Sequence, residues 1–514
     1  MADWGEGYVT DINYTSGFYR ELSPVWLATA ATLLGFRAPP IGQPYTYAEL
    51  GCGTGFGINL LAAANPQGRF WGFDFNPAHT AHARRLAEAA GSGNVEFHEA
   101  SFQSMAAAGD WPTFDFLALH GVYSWVSRDN QLALQAFIRR FLKPGGLAYI
   151  SYNCGVGWAS MVPVQRMLRL YADKHPARSD VQGREALGFV QRLREGGAAF
   201  FGVHGDLPWW LDLAANADSH YIPHEFLNRD WTAVDFASMA EDCAHAKLAY
   251  LGSANLLENL DALSVPASLQ PVLAAEDDPL LRQAILDFAT NKVFRRDIYQ
   301  KGLSPLTPQE RLEAVKRIRL APLQIPGPDE IRFKTPVGEA SGQADVYGPL
   351  LTALGKGEMS LEAVAARPEM VGKNLADLIE VALLLIDGGY AHPLPGDTQA
   401  VTAQSFNRAV CEAMLNGHGY EFLAAPGLGG GIPASFTDML AVLALTDEPG
   451  LDREGFVDAA WRLLEQNNRR LVKNGVMLDS KQASQAELQS IHAAFQSGKG
   501  DGWRRLGVLP AQSP

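Results

Sequence analysis

"YAELGCGTGFG", residues 47–57, sets four glycines into seven positions directly behind a short apolar run. A strand that ends in so bare a turn and reopens as a helix brings backbone close to a ligand. The spacing narrows the choice. A nicotinamide-dinucleotide turn needs G-x-G-x-x-G, and its third glycine would fall on Phe56 or Ile58. A phosphate loop ends in G-K-[ST], and no lysine lies near. What remains is acid-x-G-x-G-x-G: Glu49, Gly51, Gly53 and Gly55, with a second acid, Asp74, ending "RFWGFD" (69–74).

Outward from this turn, strand-like runs alternate with helical ones. "YTYAEL" (45–50), "RFWGFDF" (69–75), "NVEFHEA" (94–100), "FDFLALHGV" (114–122) and "LAYISYN" (147–153) read as strands. "GINLLAAAN" (57–65), "PAHTAHARRLAEAAG" (77–91, proline at its first turn, glycine after its end) and "RDNQLALQAFIRRFL" (128–142) read as helices. The fold class expected is α/β, a doubly wound, Rossmann-like parallel sheet over residues 45–160. An N-terminal lid or helix occupies 1–44, and a mainly helical middle domain 161–302. A proline-rich linker spans 303–344 around a short helix, "PQERLEAVKRI" (308–318). The C-terminal domain, 345–514, opens with three helices and a turn at Gly388-Gly389, the layout of a winged helix.

Composition excludes several classes of function. With 514 residues, 47% apolar and 19% charged, the chain folds into more than one domain rather than staying disordered. A formal charge of -14 repels phosphate backbones and anionic lipid. No nucleic-acid partner is expected, and the winged-helix-like segment, with only Lys356, Arg367 and Lys373 as basic residues, suits protein contacts better. The four cysteines, 52, 154, 243 and 411, lack metal-ligand spacing and read as reduced thiols. "MADWGEGYVT" has no secretory pattern and no window approaches a membrane span, so a cytoplasmic protein without membrane contact is expected.

The acid-x-G-x-G-x-G turn resembles that of class I S-adenosylmethionine-dependent methyltransferases. That donor has no pyrophosphate, so its amino-acid end and ribose must lie against bare backbone at the strand ends. The resemblance implies a donor site of Glu49, Gly51, Gly53, Gly55, Asp74 on the ribose hydroxyls, Phe75 beside it, and His120 with its backbone at the end of the fourth strand. The acid that many such enzymes place after the third strand is missing. Ser101 and Phe102 stand there; they either hydrogen-bond and stack on the adenine or simply fill space.

Four further stretches, "HGVYSWV" (120–126), "YIPHEFLNRDW" (221–231), "LAYLGSANL" (248–256) and "DFATNKVFRRDIYQKG" (287–302), are together similar to bacterial methyltransferases with a methyltransferase regulatory domain. The likeness spans nearly the whole chain. It implies a homodimer with a wide central cavity that N-methylates lysine side chains of a protein substrate, as surface-protein lysine methyltransferases do. The alternative acceptor is a small molecule or glycan, methylated on oxygen or nitrogen. Members often carry P-Y-x-S and T-H-P near the start; here Tyr14 and Ser16 match, but Asn13 replaces the proline and Leu22 or Ser23 the histidine.

Methyl transfer needs alignment and water exclusion more than a strong base. The catalytic candidates are therefore Tyr123, Trp125, Tyr152 and Asn153, after strands four and five, and Tyr14, Tyr19, Ser124 and Trp158 are expected to line the substrate. For each aromatic, plain core packing is the competing reading. His224 and Glu225 lack a second histidine four residues on, so no metal is expected and they read as contacts between domains. "RRDIYQKG" (295–302) reads as a solvated helix end.

Overall fold

The computed structural model describes residues 5–12, 16–205, 207–215, 221–325, 327, 330–396 and 403–510. Its centre is a seven-stranded sheet, β1 (Tyr45–Leu50), β2 (Gly68–Asp74), β3 (Val95–Glu99), β4 (Phe114–Leu119), β5 (Leu142–Asn153), β6 (Leu248–Ser253) and β7 (Phe294–Lys301). The order across the sheet is β3-β2-β1-β4-β5-β7-β6. The first five strands run parallel, and β7 is antiparallel to both β5 and β6. Strand order reverses between β1 and β4, which opens a crevice at the carboxyl ends of those strands.

The strands are apolar on both faces because both faces are covered. Tyr47, Phe70, Phe116 and Tyr149 pack on one side with residues of α1 (Pro24–Leu34), α2 (Phe56–Ala64) and α3 (Pro77–Ala90). Their chain neighbours Ala48, Trp71, Leu117 and Ile150 pack on the other, with Phe137 and Ile138 of α5 (Arg128–Phe141). The short α4 (Phe102–Ala107) follows β3. The alternation follows from a side-chain period of two. At the start of α3 the Asn76 side chain accepts from the Ala78 N–H at 2.9 Å, with Pro77 in the first turn.

The sheet runs past residue 160. Helices Met161–Lys174, Ser179–Glu195 and Tyr221–Phe226, among others, lie in the chain between β5 and β6 and have their own core around Trp158, Leu168, Leu187 and Phe226. β6 and β7 then return to the sheet. This corrects the reading of 295–302 as a solvated helix end. Ile298 and Tyr299 are fully buried, and Arg295, 4% exposed, sits between Asp287 (2.5 Å) and Asp297 (3.1 Å). Charges that neutralise one another inside disguise the strand.

Helix Pro308–Arg317 lies where the sequence places it, opened by a reciprocal capping box of Thr307 and Glu310. Beyond it, Arg319–Pro322 is the middle strand of a small antiparallel sheet with Met359–Ser360 and Ala391–Pro393, accompanied by helices Ala344–Leu354, Leu361–Ala365 and Leu375–Asp387. The last part of the chain docks on α2 and α3. Tyr420 stacks on Phe56 at 4.4 Å and 11°, and its hydroxyl meets His82 Nε2 at 3.0 Å. The Gly429 carbonyl accepts from Ser23 Oγ (2.8 Å) and Asn65 Nδ2 (3.0 Å). One continuous apolar core joins the two regions. Tyr420→Ala is expected to lower unfolding stability by about 3 kcal/mol, and Tyr420→Phe by about 1 kcal/mol. Urea midpoints of the two variants check this; equal midpoints would show that the ring contributes nothing to docking.

Candidate functional site

The glycine turn is tied to β2 before any ligand arrives. Gly51 and Cys52 N–H groups donate to the Phe73 carbonyl at 2.8 and 2.9 Å, and the Gly53 N–H donates to Asp74 Oδ2 at 2.9 Å. Gly53 has φ +55, and a Cβ there would stand in open space, leaving room for a ligand against the backbone. Gly55, at φ +71, serves packing instead: a Cβ would come within 2.4 Å of the Ala83 Cβ on α3. Asp74, 6% exposed, also accepts from the Asn76 N–H (2.9 Å) and faces His79 Nδ1 at 3.1 Å. Its carboxylate keeps acceptor capacity for a hydroxyl pair.

These residues form one end of a 360 Å³ cavity. Of the residues expected at the donor, Gly51, Gly53, Asp74, Phe75, Phe102 and His120 line it. Glu49 lies behind the wall, buried, with Oε2 unpartnered among the described residues. Burial, and then the charge of Asp74, push its carboxyl up to about 8. Ser101 caps α4 through the Ser104 N–H at 3.2 Å and does not line the cavity. The His120 ring lies 3.9 Å from that of Tyr19, with Nδ1 2.9 Å from the Tyr149 hydroxyl. Burial, helped by Arg296, pulls it down to about 3, so the imidazole is neutral at physiological pH.

On the acceptor side, Tyr19, Trp125, Asn153 and Trp158 line the cavity as the sequence suggests. Ser124 does not; its Oγ accepts from the Asn153 N–H at 2.9 Å and so holds Asn153 in place. Asn153 Nδ2 is buried without a partner among the described residues. Two catalytic candidates are not brought to the cavity. The Tyr123 hydroxyl donates to Asp242 at 2.5 Å, a carboxylate gripped by Nη1 and Nη2 of Arg128, and Tyr152 donates to Asp297 at 2.7 Å. Both are fully buried in the core, where a phenol needs a fixed partner. Tyr14 lies outside the described residues.

Several lining residues were not legible beforehand: Tyr8, His79, Tyr221, Glu225, Phe294 and Arg296. His79 had the best available signal, five residues after Asp74 in the first turn of α3; its Nε2 is buried and unpartnered among the described residues. His224 meets the Ile12 carbonyl through Nε2 at 3.2 Å, and the backbone carbonyl of Glu225 accepts from Trp125 Nε1 at 3.3 Å. The pair thus joins the middle helices to the site, as well as lining it. Among the described residues no group of three or more His, Cys, Asp or Glu could hold a metal ion. The residues present do fit S-adenosylmethionine, a donor that carries two cationic groups: an open glycine backbone, a carboxylate for the ribose, and the orphaned carboxyl oxygen of Glu49 buried behind the turn.

Comparison with known proteins agrees. A family model described as a methyltransferase domain matches residues 48–146, and one described as a predicted methyltransferase regulatory domain matches residues 218–301. An uncharacterized protein of Synechocystis sp. is 35% identical over 98% of this chain and 99% of its own length. O-methyltransferase 3 of Dictyostelium discoideum is 33% identical over 20% of this chain and 24% of its own. The solved structure of PKMT2 from Rickettsia typhi shares the fold, with a TM-score of 0.70 at 19% identity, over 97% of this chain and 100% of that one. The same protein has been solved in complex with AdoHcy.

Asp74→Asn is expected to weaken donor binding by about ten- to a hundredfold, the worth of a charged hydrogen-bond acceptor. Calorimetric titration checks it, with an unchanged melting temperature as the control for folding; unchanged affinity would place the ribose elsewhere. Glu49 sets a pH dependence. In the empty site it holds its proton up to about 8, and a cationic donor favours the carboxylate, so binding releases a proton. Donor affinity should therefore rise from about pH 6 to about pH 8 and level off above, and Glu49→Gln should flatten the curve. A flat wild-type curve would contradict this.

Proposed function

The chain belongs to the family of S-adenosylmethionine-dependent methyltransferases that carry a methyltransferase regulatory domain, and on that premise we propose that, as a cytoplasmic homodimer, it N-methylates lysine side chains of a protein substrate. The observation that carries this reading is the aromatic wall of the cavity. Tyr8, Tyr19 and Tyr221 line the cavity there together with Glu225. Burial first, and Glu225 among the nearby charges, raise all three phenols, so they stay protonated. An aromatic wall beside a carboxylate attracts an ammonium group as it leaves water.

When bound, the donor supplies a methyl group already activated on a sulfonium, open to in-line displacement. The protein has to align the amine, whose ammonium gives up its proton to water as it enters. A lysine ammonium has a pKa near 10.4 in water, and desolvation among Tyr8, Tyr221 and Trp158 lowers it. The side chain of Asn153 and the phenol oxygens steer the nitrogen, and neutral His120 adds no opposing charge. Trp125, fixed by its hydrogen bond to Glu225, helps exclude water. Tyr123 and Tyr152 act as scaffold, holding the ends of β4 and β5 through Asp242 and Asp297.

The fold is shared with PKMT2 from Rickettsia typhi along nearly the whole chain. We take the segment from 345 to 394 as a winged-helix-like module for protein contact. A small-molecule or glycan acceptor, methylated on oxygen or nitrogen, is the competing reading, favoured by the modest 360 Å³ of the inner cavity. Purified enzyme incubated with tritiated donor and lysate from a strain lacking the gene separates the two. Label recovered as N-methyllysine from protein bands is the expected outcome. Label confined to the small-molecule fraction overturns it.

A further inference from the structure

A second cavity, of 900 Å³, lies between the N-terminal segment and the last helices of the chain and shares Tyr19 and Arg296 with the donor cavity. Its walls include Phe18, Leu428, Ile432 and Trp503. Its charges are unbalanced. Arg20 lies within 3.6 Å of Glu21 and 3.5 Å of Asp387, and Lys499 bonds Asp438 at 2.5 Å. Arg296 and Arg505 form no ion pair with a described residue. Arg296 Nη1 donates only to the neutral Asn255 amide oxygen at 3.0 Å, and its Nε is buried without a partner among the described residues. Glu258, on the far side of Arg296, is already taken by Lys292 and Ser253. Two uncompensated guanidinium groups on an apolar chamber stand out in a chain of net charge -14.

We propose that this chamber binds an acidic peptide segment of the acceptor, with its carboxylates on Arg296 and Arg505, while the amine to be methylated passes Tyr19 into the donor cavity. The proposal rests on the lysine reading and names the surroundings of the chosen lysine. A partly desolvated guanidinium is satisfied best by a carboxylate, which accepts two parallel hydrogen bonds. Arg296 sits where the two cavities meet, so a bound carboxylate there would also neutralise a positive charge facing the incoming ammonium. Acidic residues near the lysine would thus aid both docking and entry.

The test uses the full-length enzyme and fluorescein-labelled peptides of equal length, with one lysine flanked by glutamates, by glutamines or by further lysines. The glutamate peptide should bind about tenfold tighter than the glutamine peptide at low salt, an advantage that shrinks as salt is added. Arg505→Gln and Arg296→Gln should each remove most of that advantage, and Arg505→Gln should leave the glutamine peptide unchanged. Arg505 is exposed at the chamber rim, so its variant tests the idea even if Arg296→Gln fails to fold. Equal affinity for the three peptides, or an undiminished preference in Arg505→Gln, overturns the proposal. A glutamate peptide that binds through these arginines but takes up no methyl leaves the chamber standing and overturns the lysine reading instead.

Discussion

The hydrogen bond from the Gly53 N–H to the Asp74 carboxylate holds the site together. Through that carboxylate the glycine turn after β1, the start of α3 and His79 meet at one point. The geometry is affordable only because Gly53 takes a positive φ without a side chain to place. Glu49 is the counterpart on the β1 side. Burial, and then the charge of Asp74, push its carboxyl up to about 8.

The rest of the cavity is assembled from segments far apart in the chain. Phe294 and Arg296 arrive because β7 inserts antiparallel beside β5, and Tyr221 and Glu225 because the helices between β5 and β6 fold back over the strand ends. The N-terminal segment supplies Tyr8 and Tyr19. The C-terminal region reaches the donor turn indirectly: Tyr420 meets His82, whose Nδ1 lies 2.9 Å from the Thr54 carbonyl within the turn. Ser16 meets the Thr54 hydroxyl from the other side at 3.0 Å. The turn is therefore braced by both ends of the chain.

Legibility divides along physical lines. The five parallel strands and their helices could be read because their signals are local: alternating burial on two faces, prolines at helix starts, glycines at their ends. β7 could not, since Arg295 and Asp297 look solvent-facing until Asp287 is seen to complete their neutralisation. At the site, position at or after a strand end brought Asn153 and Trp125 to the cavity wall. It misled for Tyr123 and Tyr152, whose hydroxyls found carboxylates in the core instead.

The methyl donor was legible in the sequence, because the acid and glycines of the turn lie within seven consecutive residues, 49–55, and Asp74 ends the next strand. The rest of the cavity wall came only with the folded chain. Tyr8, Tyr221, Glu225 and Arg296 are separated by up to most of the first three hundred residues, and only the closing of the sheet and the return of the middle helices bring them to one cavity. A local backbone constraint leaves a motif; a convergence of distant side chains leaves none.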